Sequence, residues 1–114
     1  MSHMDLQRSR AAMLKEWRAW AERVASAAEK TLPGLEVYVM GSVVRGDYTG
    51  GSDIDILITS DALPEGLLKR AEIKSSIEEA ANLPPTHPIQ IHLTKRSEAN
   101  NYIRRARSDI IKLR

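Results

Sequence analysis

Asp53 and Asp55 stand one residue apart, and that spacing is the clearest chemical signal in the chain. On an extended strand, positions i and i+2 project from the same face, so the two carboxylates would crowd each other. A cation between them relieves the repulsion. Hard oxygen ligands of this kind favour Mg²⁺, which takes one or two carboxylates plus substrate phosphates. Ten residues separate Asp53 from Ser42, which follows Gly41. Gly41 has no side chain to keep a phosphate from the backbone. Ser42 offers a hydroxyl where a short helix could begin, with free N–H groups suited to phosphate. Arg45 has two readings: a partner for a triphosphate, or a brace of the loop through Asp47 or a carbonyl. The bland reading of the whole stretch is a glycine-rich turn followed by two surface aspartates.

These residues need elements to hold them. Residues 5–30 read as a helix, with Met13, Trp17, Trp20, Val24 and Ala28 recurring at three- and four-residue steps. Leu32-Pro33-Gly34 ends it. Residues 35–40 alternate, with Leu35, Val37 and Val39 on one face and Glu36, Tyr38 and Met40 on the other, and this is the first strand. Residues 53–59 form the second, with Ile54, Ile56 and Ile58 opposite Asp53, Asp55 and Leu57. A helix over 64–82 offers Leu67, Ala71, Ile77 and Ala81 for packing, and Pro84-Pro85 stops it. Residues 89–94 are the third strand, and a last helix over 97–113 carries Ala99, Tyr102 or Ile103, Ala106, Ile110 and Leu113 inward. The order α-β-β-α-β-α implies an α/β (α+β) fold, a small mixed sheet with flanking helices. The helical crossover makes strands two and three parallel if they share a sheet.

The 114 residues suit one domain over 1–114, with residues 1–4 readable as a vector remnant, so His3 is given no role. There is no cysteine, which excludes disulfides and cysteine-based zinc sites and suits a reducing, cytoplasmic setting. No apolar run approaches the length of a spanning helix, so no membrane is expected as a partner. His87 and His92 lack zinc-site spacing and read as structural or exposed. The net charge of +2 is uneven, because Arg104, Arg105, Arg107, Lys112 and Arg114 crowd the last segment. Only Tyr102 interleaves them, so a solvated helix face is expected there rather than a nucleic-acid surface. One helix of so small a domain can bury only a single stripe. Trp17 or Trp20 is therefore expected partly exposed, in a patch covered by self-association or by a partner.

The pattern Gly41-Ser42, ten residues, then Asp53-Ile54-Asp55 resembles the signature of the DNA polymerase β-like nucleotidyltransferases, in particular their minimal branch. Arg45-Gly46, and Ser52 before the first aspartate, add to the likeness, which covers residues 37–94. The resemblance implies an enzyme with Asp53 and Asp55 as metal-binding catalytic residues and Gly41, Ser42 and Arg45 as nucleotide-binding residues. It implies Mg²⁺ as cofactor, ATP or another nucleoside triphosphate as donor, and a HEPN-type helical protein as partner, in a toxin–antitoxin setting. The family places a third carboxylate on the neighbouring strand. Here that strand reads Pro88-Ile89-Gln90-Ile91-His92-Leu93, so the matching position is Gln90, which has no charge and cannot act as a base. His92 projects from the same face and is a candidate base. Intact Gly41-Ser42 and Asp53/Asp55 point to catalysis, whereas Gln90 points to a catalytically weak binding module of antitoxin type.

Overall fold

A computed structural model describes residues 2–114. The single helix expected over 5–30 is two helices, α1 (His3–Lys15) and α2 (Trp17–Glu29). Glu16 between them leaves helical geometry at φ −99°, ψ 27°, which lets α1 take its own course toward the loop before Asp53. α1 begins early because Ser2, in the segment read as a vector remnant, caps it. The Asp5 N–H donates to the Ser2 hydroxyl at 3.2 Å, and that hydroxyl donates to Asp5 Oδ2 at 2.8 Å. Trp17, Ala21, Val24, Ala25 and Ala28 of α2 are buried, while Trp20 is half-buried with the Arg23 guanidinium 4.4 Å above its ring. The expected exposed tryptophan is therefore Trp20, but a cation covers one of its faces.

The sheet has the order β3-β2-β1-β4, built from β1 (Glu36–Met40), β2 (Ile54–Thr59), β3 (Ile89–Thr94) and β4 (Ile110–Lys112). β2 and β3 are parallel, joined through α4 (Leu67–Ala80), and β1 is antiparallel to both β2 and β4. One face, with Val37, Val39, Ile54, Ile56 and Ile58, packs on α2 and on Ile77 of α4. The other, with Met40 and Leu57, packs on Ala99, Tyr102 and Ile103 of α5 (Arg96–Ala106). This is the mixed α/β architecture the hydrophobic pattern implies. Asp55 falls on the α5 side, because it alternates with the isoleucines of β2.

Two further expectations require correction. The last helix does not run to 113: it stops at Ala106, Arg107 turns the chain at φ 54°, and Ile110–Lys112 becomes β4 on the free edge of β1. A stripe of Ala106, Ile110 and Leu113 fits a helix by spacing alone. The open edge of β1 needs hydrogen-bond partners, however, and β-branched Ile110-Ile111 supplies a strand. In the helix expected over 64–82, Leu67 and Ala71 do not pack inward. Leu67 and Leu68 are 84% and 75% exposed, and Ile73, Ile77 and Ala81 face the core instead.

Candidate functional site

The site grows from the end of β1. Gly41 follows Met40 at φ 92°, ψ −153°, a conformation that in practice only glycine adopts. Met40 pairs with Asp55 across the antiparallel ladder, so Gly41 lies beside that carboxylate. A Cβ built on Gly41 would stand 3.3 Å from Asp55 Oδ2. Ser42 opens α3 (Ser42–Arg45), one turn that the left-handed Gly46 closes at φ 86°. The short helix suggested by Ser42 is thus present.

Asp55 is the second residue of β2 and Asp53 precedes the strand. Across the parallel ladder Asp55 is level with Gln90, which places both on one face of the sheet, with Gln90 exposed. His92, two residues on, brings Nε2 to 3.2 Å from Asp55 Oδ1, and its ring tilts against Tyr102 of α5 with centroids 5.5 Å apart. Asp53 is held differently: Arg10 of α1 donates to its Oδ1 at 2.8 Å.

A cavity of about 280 Å³ opens here, between the end of the sheet and α5. Its lining includes Gly41, Arg45, Asp55, His92, Tyr102 and Arg105. Of the residues expected at the site, the cavity therefore joins Gly41, Arg45 and Asp55, while Ser42, Asp53 and Gln90 lie outside its wall. Arg45 follows the bracing reading, with Nε donating to both Asp47 oxygens at 3.2 Å and Nη1 to Asp109 Oδ2 at 3.0 Å. Those bonds, Asp109 first, raise its pKa above the usual guanidinium value. His87 is structural, accepting the Ile89 N–H at 3.1 Å and pairing with Glu78 at 3.2 Å.

Among the described residues, no three His, Cys, Asp or Glu side chains are placed to hold a metal ion together. The donor set still fits one Mg²⁺ arriving with a triphosphate. Asp53 and Asp55 would supply two carboxylates to it, and the bare backbone of Gly41 would leave room for phosphate oxygens beside Asp55. Sequence reasoning missed Arg10 and Arg105 as parts of the site. Arg10 is distant in the chain and carries no local signal, and Arg105 stands in a basic segment whose composition alone suits a solvated face.

The model of the nucleotidyltransferase domain family matches residues 21–111, leaving α1 and Arg10 outside. A crystal structure of a "putative nucleotidyltransferase" is similar at 29% identity and a TM-score of 0.64, over 82% of this chain and 96% of the other. A second, a "putative nucleotidyltransferase from Sulfolobus solfataricus", is similar at 25% identity and a TM-score of 0.59, over 94% and 84%. A "toxin-antitoxin with AMP-PNP" structure shares the fold, with 19% identity and a TM-score of 0.56 over 82% and 72%. Comparison with curated proteins gives no match. With most of its length covered by the family model, and with the mixed sheet that its structural neighbours share, this chain belongs to the nucleotidyltransferase domain family.

Proposed function

We propose that this chain transfers a nucleoside monophosphate from a nucleoside triphosphate, ATP in the first instance, to an acceptor hydroxyl, with Mg²⁺ as cofactor. The observation that carries the reading is the close approach of Gly41 to Asp55 at the wall of the cavity. A bare backbone beside a carboxylate at the cavity wall, with α3 starting at the next residue, supports a seat there for an incoming triphosphate. Gly41 and Ser42 would seat the phosphates, and Asp53 and Asp55 would hold the metal. When bound, Mg²⁺ neutralises the triphosphate oxygens and the charge that develops on the leaving pyrophosphate. The acceptor oxygen bonds to the α-phosphorus as the bond from that phosphorus to the departing pyrophosphate oxygen breaks. His92, anchored on Asp55 through Nε2, is the candidate base, with Nδ1 the ring nitrogen that would take the hydroxyl proton. Arg105, which also lines the cavity, adds positive charge for the phosphates.

The acceptor is a hydroxyl on a HEPN-type helical partner, in a cytoplasmic toxin–antitoxin pair. The neighbour solved as a toxin–antitoxin with AMP-PNP supports testing both a protein partner and an adenine nucleotide. ATP with Mg²⁺ is expected to raise the thermal midpoint, since a ligand that binds only the folded state stabilises it. The Asp53→Asn, Asp55→Asn double variant should lose the Mg²⁺-dependent part of that rise. A double variant that responds like the parent chain would remove both aspartates as ligands.

A second reading, a binding module that transfers slowly or not at all, is favoured by Gln90. It stands level with Asp55 where a third carboxylate would add charge for the ion near the acceptor. Gln90→Glu should then raise the rate of label transfer from ATP to the partner by about tenfold, equivalent to about 1.4 kcal/mol, with ATP affinity little changed. Equal rates for the two proteins would remove the missing-ligand idea and strengthen the catalytic reading.

A further inference from the structure

The first helix lies outside the family-matched residues, yet it reaches into the site through one side chain. Arg10 Nη2 donates to the Ser52 carbonyl at 2.7 Å and to Asp53 Oδ1 at 2.8 Å, and its Nε donates to the Gly50 carbonyl at 3.2 Å. The contacts span 40 to 43 residues of sequence, so they exist only once α1 is folded against the loop. Three acceptors in one short segment suit the rigid fork of a guanidinium and would not be matched by an ammonium. The loop they hold is rich in glycine, at Gly46, Gly50 and Gly51. Such a segment loses much backbone freedom on ordering, so an external clamp has a large effect on it.

We infer that Arg10 is a positioning residue for Asp53, making α1 a working part of the metal and nucleotide site. It acts by fixing the backbone of residues 50–53 and one oxygen of the Asp53 carboxylate. Two of its three bonds go to backbone carbonyls, which are indifferent to metal. The guanidinium is therefore anchored by the loop, and a cation arriving at the carboxylates has no need to displace it. This inference rests on the reading of Asp53 and Asp55 as metal ligands.

The test compares the parent chain with Arg10→Ala, Arg10→Gln and Arg10→Lys. In metal-free protein, amide hydrogen exchange at residues 50–53 should quicken in Arg10→Ala and Arg10→Gln, while exchange in β2 stays as in the parent chain. A brace of this kind around a metal ligand is commonly worth about tenfold in metal affinity. The Mg²⁺ concentration giving half of the ATP-dependent thermal shift should rise by about that factor in Arg10→Ala and Arg10→Gln, and less in Arg10→Lys. Millimolar guanidinium, far below denaturing levels, should restore part of the Arg10→Ala loss and leave the parent chain unaffected. An unchanged Mg²⁺ midpoint in Arg10→Ala overturns the inference. So does a lower midpoint, which would make the guanidinium a competitor of the metal. Asp55→Asn separates this failure from failure of the site itself. If it abolishes the Mg²⁺ effect while Arg10→Ala leaves it intact, only Arg10 is misassigned; if it has no effect, the site reading falls and takes this inference with it.

Discussion

Gly41 carries two demands at once, one on its backbone and one on the space beside it. A side chain at φ 92°, ψ −153° costs about 1–3 kcal/mol in backbone strain alone. Gly46, at φ 86°, imposes a backbone demand too, but a Cβ there would meet nothing within 4 Å. Gly41→Ala and Gly46→Ala should therefore both lower unfolding free energy in urea titrations, each by about 1–3 kcal/mol. Only Gly41→Ala should also weaken the Mg²⁺–ATP thermal shift, because its new methyl stands against the Asp55 carboxylate. If both variants bound Mg²⁺–ATP equally well, the contact between Gly41 and Asp55 would have no bearing on the ligand. At the same scale, Arg45 bonds Asp47 and Asp109 while it lines the cavity, so it ties the loop to the residue before β4.

Elements decide which side chains of a helix matter. α4 crosses between two parallel strands, and Ile77 is its fully buried contact with the core. Ile77→Ala should cost about 2–5 kcal/mol of stability in the same urea titrations. Leu67→Ser and Leu68→Ser, at the exposed start of α4, should each stay within about 0.5 kcal/mol of the parent chain. A large loss at Leu67 would mean that the first turn of α4 packs inward in solution. α5 has a different duty. Its Ala99, Tyr102 and Ile103 cover the second face of the sheet, while Tyr102 and Arg105 wall the cavity. One helix thus completes a core and a site together, which is why its termination at Ala106 matters to both.

At the scale of the molecule, β4 and the residues after it are tied to α2 and β1. Arg114 pairs with Glu22 and Glu29 of α2, and Lys112 donates to Glu36 of β1 at 2.8 Å. The hydrogen bond from Lys112, followed by that from Tyr38, holds the Glu36 carboxyl below its ordinary pKa of 4.5. Arg114 does the same to Glu22. A carboxyl lowered on folding gives stability that is fully present above the unfolded pKa. That stability is lost as pH falls through the lower, folded value. The chain should therefore lose stability on acidification below about pH 4.5, in the range where these carboxylates take up protons. Glu36→Gln should flatten that acid limb in thermal melts recorded from neutral to acid pH. An unaltered limb would mean that the tie between β1 and β4 carries no measurable part of it. Among the described residues no helix is long and apolar enough to cross a membrane.

Much of this protein is determined locally and could be read from sequence. Strand alternation at Val37, Val39, Ile54, Ile56 and Ile58 fixes which face of the sheet is core. By the same period of two, it puts Asp55 on the opposite face, and the glycine-rich run from Gly41 marks where a phosphate could approach. Side-chain direction and backbone freedom are properties of a few neighbouring residues, so no tertiary contact is needed to see them. Tertiary structure alone decided the rest. Helical and extended conformations of Ile110, Ile111 and Leu113 compete closely, and the unpaired edge of β1 settles the contest in favour of a strand. Arg10 reaches Asp53 across 43 positions, a meeting that no local pattern encodes. Arg45 meets Asp109, 64 positions away, at 3.0 Å, a brace that no local pattern encodes. Long-range pairing depends on where the fold brings distant segments together, and only the completed packing of helices on the sheet fixes that.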